Sequence, residues 1–187
     1  MPTLHLSLDS LPPASDPRIV SASSLRLSLP QPAKRFFRHG WHSWTLTTWL
    51  DPDAPPLPVR AAEFRNKDED PAYALAKNHV SAWVGAVELG NDDILLLGAL
   101  DLSGRVGLDG LTLNGFYESV GRDDTSYSQS IPPGEWLIAR GTEEDVFAKY
   151  VQLLERKFGK GRFEKAPRVW CSWYSLYGWV NEPIFLK

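Results

Sequence analysis

Leucine alternates with polar residues from Leu4 to Leu8 and again from Leu25 to Leu29, the period-two pattern of strands that bury one face. Between them Leu11-Pro12-Pro13-Ala14-Ser15-Asp16-Pro17 is a connecting loop. A basic aromatic patch, Lys34-Arg35-Phe36-Phe37-Arg38, is expected to be a strand with solvated charges. The four prolines between Asp51 and Pro58 forbid regular structure and predict a surface loop beside Trp41, Trp44 and Trp49. Arg65 to Asp70 is a mixed charge run, expected as a solvated turn. The clearest strand signal lies between Ser81 and Asp101. Ala82 to Leu89, a four-residue turn Gly90-Asn91-Asp92-Asp93, and Ile94 to Leu100 together predict a hairpin. Shorter apolar runs at Val106–Leu108, Leu111–Tyr117 and Tyr127–Ile131 are separated by turn signals at Asp109-Gly110 and Asn114-Gly115. Pro132-Pro133-Gly134 ends the last of them before Glu135 to Ala139. Many short strands with frequent turns argue for an antiparallel β-sandwich.

One helix follows. Thr142 is suited to the N-cap, and Glu143, Glu144 and Asp145 fill the first turn, where the helix dipole favours negative charge. Phe147, Tyr150, Val151, Leu154 and Phe158 are the predicted apolar face, and Gly159 the predicted stop. Beyond a connector, Pro167 to Trp179 reads as a short, largely buried strand that breaks at Gly178. A buried parallel strand needs neighbours on both edges, and no partner follows it before Lys187. The expectation is therefore the front end of a longer protein, organised as a sandwich domain over residues 1–140, a linking helix and connector over 141–166, and the start of a further domain over 167–187.

Composition narrows the function classes. In 187 residues, 43% are hydrophobic and eight are tryptophan, enough for a packed core. A net charge of −3, spread along the chain, gives no electrostatic footprint for nucleic acid or an anionic membrane. The single cysteine, Cys171, cannot form an internal disulfide. Residues 1–16 lack the basic start and apolar centre of a signal peptide, and no run reaches membrane-spanning length, so a soluble, cytoplasmic chain is expected.

Two aromatic motifs carry a resemblance. Trp170-Cys171-Ser172-Trp173-Tyr174 is similar to the Trp-Cys-Ser/Thr-Trp-Tyr segment that opens the catalytic (β/α)₈ barrel in α-galactosidases of glycoside hydrolase family 36. Gly40-Trp41-His42-Ser43-Trp44-Thr45 resembles the Gly-x-Gln-Ser-Trp-Ser segment in the N-terminal sandwich of the same family, with His42 where Gln is usual. Two such motifs in the right order are more specific than either alone.

The resemblance implies a supersandwich-like N-terminal domain, a linking helix and the first strand of a truncated (β/α)₈ barrel. It also implies hydrolysis of terminal α-D-galactosyl residues from oligosaccharides by a retaining mechanism. Two aspartates on later barrel strands would act as the carboxylate pair that such chemistry requires, so no catalytic residue is assigned within the chain. By motif position, Trp173 and Tyr174 would lie at the catalytic mouth, with Trp44 and Trp41 as candidates for closing the pocket from the side. A pyranose packs its C–H face on indole while its hydroxyls take hydrogen bonds from Trp N–H and Tyr O–H. Barrel sites form at the C-terminal ends of strands, in keeping with this placement. The α-galactoside is then the expected partner, and a homo-oligomer is compatible with the full-length family.

The bland alternatives are a non-catalytic carbohydrate-binding sandwich and a purely structural one. Most tryptophans in a sandwich are core, and Trp83 and Trp136 are expected there. Asp92-Asp93, Asp123-Asp124 and Glu143-Glu144 are acidic pairs whose turn, loop and helix-start settings favour solvation or dipole matching. His39 and His42 are three apart on a strand or loop without a third ligand, so no metal is expected. Cys171, between two tryptophans, is a small apolar filler rather than a nucleophile. His42 can donate a hydrogen bond as Gln does, but with a different reach and the capacity to titrate. No P-loop, dinucleotide fingerprint or nucleophile elbow is present, so no cofactor is expected.

Overall fold

A strand that alternates apolar and polar residues can cover one side of a core, whereas one that is apolar throughout must be covered on both. The chain uses both kinds. The computed structural model describes residues 3–8, 16–40, 47–53, 79–117 and 133–160. Among these are β1 (Leu4–Ser7), β2 (Arg18–Ala22), β3 (Ser24–Ser28), β4 (Arg35–Arg38), β5 (Thr48–Leu50), β6 (His79–Ala82), β7 (Val84–Gly90), β8 (Asp93–Ala99), β9 (Arg105–Asp109), β10 (Thr112–Phe116), β11 (Gly134–Gly141) and the helix α1 (Glu143–Phe158). They form a five-stranded sheet, β1-β3-β10-β9-β6, facing a six-stranded sheet, β2-β11-β8-β7-β4-β5.

The alternating strands make the five-stranded sheet. Leu25 and Leu27 of β3, Val106 and Leu108 of β9 and Leu113 of β10 point inward to a core shared with Phe36, Val87, Leu95, Leu97, Trp136 and Ile138 of the other sheet. The continuously apolar strands lie at the middle of the six-stranded sheet. On their opposite face Val84, Ala86, Ile94, Leu96, Leu137 and Ala139 form a second core with Val146 and Tyr150 of α1. β8 and β11 are thus buried on both faces.

Among the described residues, the mainly β sandwich with a helix after the strands is as the pattern predicts, and most pairings are antiparallel. Among these pairings the exception is β1 with β3, which run parallel, Leu4 opposite Leu25. Parallel neighbours cannot be joined by a tight turn. The segment between them accordingly crosses to the other sheet, where part of it forms β2 against β11.

Four local expectations are corrected. Asn114-Gly115 is no turn: both residues lie inside β10, paired with β3 and β9. A Cβ on Gly115 would stand 3.0 Å from the Trp136 ring, so the glycine makes room for an indole. The β7–β8 hairpin turns on two residues rather than four. Asn91 and Asp92 have φ of 53° and 60°, the left-handed pair that matches strand twist in a two-residue loop. The run from His79 to Leu89 is two strands in different sheets. Trp83 stands between them as a half-buried corner with φ 63°, its backbone bonded to Gly104 O and Ala99 N–H. Lastly, α1 buries Val146 and Tyr150 and leaves Val151 and Phe158 51% and 56% exposed. Thr142 does cap the helix, its side chain accepting the Asp145 N–H, and the Gly159 N–H reaches Glu155 O.

Candidate functional site

The first tryptophan motif falls in sequence between β4 and β5, and the residues on either side of it are described. β4 belongs to the six-stranded sheet, yet its last residues are tied to β6 of the other. Arg38, expected as a solvated charge, is 2% exposed and donates from Nε to Val80 O at 3.1 Å. The His39 N–H donates to Ser81 Oγ at 2.7 Å, and the Ala82 N–H donates to His39 O at 2.9 Å. The His39 ring lies 5.1 Å from that of Trp83, with Nδ1 3.2 Å from Ala82 O. Burial lowers the His39 pKa, while the Ala82 carbonyl draws it the other way. Gly40 N–H then donates to Thr47 Oγ1 at 3.0 Å, linking the described residues on either side of the motif.

On the far side, Trp49 of β5 is a clamp. Its Nε1 donates to Glu143 Oε1 at the start of α1 at 3.1 Å, the Arg35 guanidinium sits 4.8 Å above its ring, and Phe37 packs edge-on at 5.5 Å. Arg35 also pairs with Glu88. The next segment is pinned by His79, whose Nε2 lies 3.0 Å from Asp51 O and whose ring stacks on Phe36 at 5.7 Å.

The four residues expected to meet the sugar, Trp41, Trp44, Trp173 and Tyr174, lie outside the described residues, as do His42 and Cys171. Of the other tryptophans, Trp136 is fully buried with Nε1 donating to Ala22 O at 3.0 Å, whereas Trp83 is the corner residue rather than core. Two of the acidic pairs have structural work. Asp93 receives a two-pronged contact from Arg140 at 2.9 and 2.7 Å, and Glu143 holds Trp49. Asp123 and Asp124 fall outside the described residues. Among the described residues no group of three His, Cys, Asp or Glu could hold a metal, and no helix is long and apolar enough to cross a membrane.

Sequence reasoning missed an open concavity of about 410 Å³ on the outer face of the five-stranded sheet, lined among others by Arg26, Gly107, Asp109, Thr112, Asn114 and Phe116. The signal was available. These residues occupy the alternate phase to Leu25, Leu27, Val106, Leu108 and Leu113, the phase that strand periodicity turns outward.

Two antiparallel-rich sheets with a helix covering one outer face define a β-sandwich domain. Two solved structures are similar to it. One is TtGalA, the α-galactosidase from Thermus thermophilus, in complex with stachyose: 38% identical, TM-score 0.70, covering 90% of this chain and 33% of that one. The other is the same enzyme in complex with p-nitrophenyl α-D-galactopyranoside, 38% identical with a TM-score of 0.71, covering 90% and 32%. The chain is similar over most of its length to this α-galactosidase, in keeping with the N-terminal part of such a protein. It spans about a third of the length of these structures. No protein-family model and no curated protein matches it.

Proposed function

We propose that the chain is the N-terminal portion of a retaining α-galactosidase that releases terminal α-D-galactosyl residues from oligosaccharides. The observation that carries this reading is the 38% identity maintained over 90% of the chain to an α-galactosidase solved with two α-galactosides. In this reading residues 1–140 are the sandwich, 141–166 the linking helix and connector, and 167–187 the opening of the barrel. The chain supplies an aromatic wall. Trp173 and Tyr174 face the bound galactose, and Trp44, with Trp41 beside it, closes the pocket from the loop whose ends His39, Gly40 and Thr47 fix.

Retention needs two carboxyl groups about 5–5.5 Å apart, one to attack the anomeric carbon and one to protonate the leaving oxygen. These are assigned to aspartates on later barrel strands. The test compares the 187-residue chain with a protein read onward in frame from Lys187. Only the longer protein should release nitrophenol from p-nitrophenyl α-D-galactopyranoside. Release by the 187 residues alone, or a longer protein inert toward α-galactosides, refutes the proposal. In the active protein Trp173→Ala should lower kcat/KM about ten- to a hundred-fold, the ~1.5–3 kcal/mol of one large buried apolar side chain, and Trp173→Phe should recover part of it.

A further inference from the structure

The outer face of the five-stranded sheet combines features that its structural duties do not require. Leu25, Leu27, Val106, Leu108 and Leu113 take the inward phase, so the residues between them share the outward one. The register sets Arg26 opposite Asn114, Asn114 opposite Gly107, and Gly107 opposite Val80. With strands about 4.8 Å apart, this row crosses roughly 14 Å of sheet. Ser28, Thr112 and Asp109 form a parallel row on one side, and Ser24 and Phe116 lie on the other.

Gly107 is the break in this surface. A Cβ there would come 3.5 Å from Phe116 Cε1 and 3.9 Å from Val80 Cγ2, ordinary contact distances, so the missing side chain leaves a notch between an aromatic ring and an aliphatic wall. The concavity around it, about 410 Å³, falls within the ~300–1,000 Å³ usual for small-molecule sites. An aromatic ring laid over a strand glycine can serve the sheet alone. That duty explains Phe116 beside Gly107, but not the polar groups converging on the notch.

We infer that this concavity binds a neutral saccharide, with Phe116 as the stacking surface and Arg26, Asn114, Asp109 and Thr112 as its hydrogen-bonding rim. A pyranose needs an aromatic face for its C–H bonds together with both donors and acceptors for its hydroxyls. Arg26 supplies donors, Asp109 acceptors and Thr112 a hydroxyl. Asn114 directs Nδ2 to Thr112 O at 3.3 Å and keeps its carbonyl oxygen as an acceptor. The one cation and one anion of the rim cancel, which disfavours phosphates and other charged ligands. That the saccharide is galactosyl rests on the reading under Proposed function.

The test is an NMR titration of the whole ¹⁵N-labelled 187-residue chain with raffinose, and with maltotriose as a galactose-free control. Raffinose should move the amide signals of Arg26, Gly107, Asn114 and Phe116 saturably, and maltotriose should not. Gly107→Val fills the notch at a strand position without a positive φ, and it should weaken binding at least ten-fold while the rest of the amide spectrum keeps its dispersion. Phe116→Ala, which removes the stacking surface and leaves the notch open, should weaken it similarly. Absence of saturable shifts at these amides with raffinose, or unchanged binding in Gly107→Val, overturns the site. Equal shifts with maltotriose overturn the galactosyl assignment. None of these outcomes involves nitrophenol release, so failure here leaves the hydrolase reading standing and failure of that reading is detected separately.

Discussion

Gly98 offers a direct way to ask what seats α1 on the six-stranded sheet. It lies in β8 in phase with Ile94 and Leu96, whose side chains meet the helix. A Cβ at Gly98 would stand 2.5 Å from Cε2 and 2.7 Å from Cδ2 of Tyr150, where unstrained contact starts at 3.4 Å, so the ring would have to retreat by about 0.9 Å. It has little freedom to do so. Tyr150 is 5% exposed, and its hydroxyl donates to Ala99 O at 2.9 Å. Overpacking costs about 1–3 kcal/mol, and loss of the hydroxyl bond about 0.5–1.5. Replacing a glycine whose φ any residue accepts returns about 0.4–1 kcal/mol by restricting the unfolded chain. Gly98→Ala should therefore destabilise by about 1.5–3 kcal/mol, and lower Tm by roughly 4–10 °C. Urea unfolding of the wild type, Gly98→Ala, Tyr150→Leu and the double variant measures the coupling. With the ring gone, the alanine should cost nothing. A single variant within about 0.5 kcal/mol of wild type, or the same penalty in the Tyr150→Leu background, refutes the reasoning.

Three further outcomes are expected. Thr142→Ala removes the cap of α1 and should cost about 1 kcal/mol by urea unfolding, whereas Thr142→Ser should keep most of it. Asp92→Gly relieves a left-handed residue in the β7–β8 turn and should stabilise by about 0.5–1 kcal/mol, while Asp92→Val should destabilise. Because burial lowers the pKa of His39, the unfolded chain takes up this proton at a higher pH than the folded one. The stability it confers is complete above the unfolded value of 6.5, is lost as pH falls through it, and levels off below the folded pKa. A plot of urea midpoint against pH should thus be shallower between pH 7 and 5 for His39→Gln, and an unaltered slope would contradict the assignment.

The legible parts of the fold were those set by local spacing. Leucine at every second residue marked β1 and β3, and the Thr142 cap with three acidic residues after it marked the start of α1. What local spacing could not show depended on partners far along the chain. Asn114-Gly115 has the composition of a hairpin turn, but Gly115 answers to Trp136 and Leu97, which a Cβ there would crowd at 3.0 and 3.1 Å. Arg38 reads as solvated until Val80, 42 residues later, supplies its acceptor. The change of sheet at Trp83 is a backbone event that falls between Ala82 and Val84, where the apolar run is unbroken. The two tryptophan motifs were named by a resemblance and lie outside the described residues. The hydrogen-bonded stem beside the first of them was not legible, because His39, Ser81 and Thr47 acquire meaning only when β4 and β6 are side by side.

That stem connects the fold to the proposed function. β7, β8 and β11 are buried on both faces, so the middle of the six-stranded sheet has no freedom to shift without disturbing two cores at once. β4 is paired to β7 in register from Arg35–Glu88 to Arg38–Gly85 and inherits that rigidity. At the point where β4 ends, hydrogen bonds from Arg38 and His39 to β6 transfer the constraint to the second sheet. The residues on either side of the first tryptophan motif are therefore set by both sheets, and the Gly40 N–H to Thr47 Oγ1 bond ties the two flanks together. A binding wall works best when its position is settled before the ligand arrives, because ordering each side chain at the moment of binding costs about 0.5–1.5 kcal/mol. The double-sided burial of the sheet thus bears on the proposed function: if Trp41 and Trp44 contact sugar, the residues that flank them are already fixed by two cores.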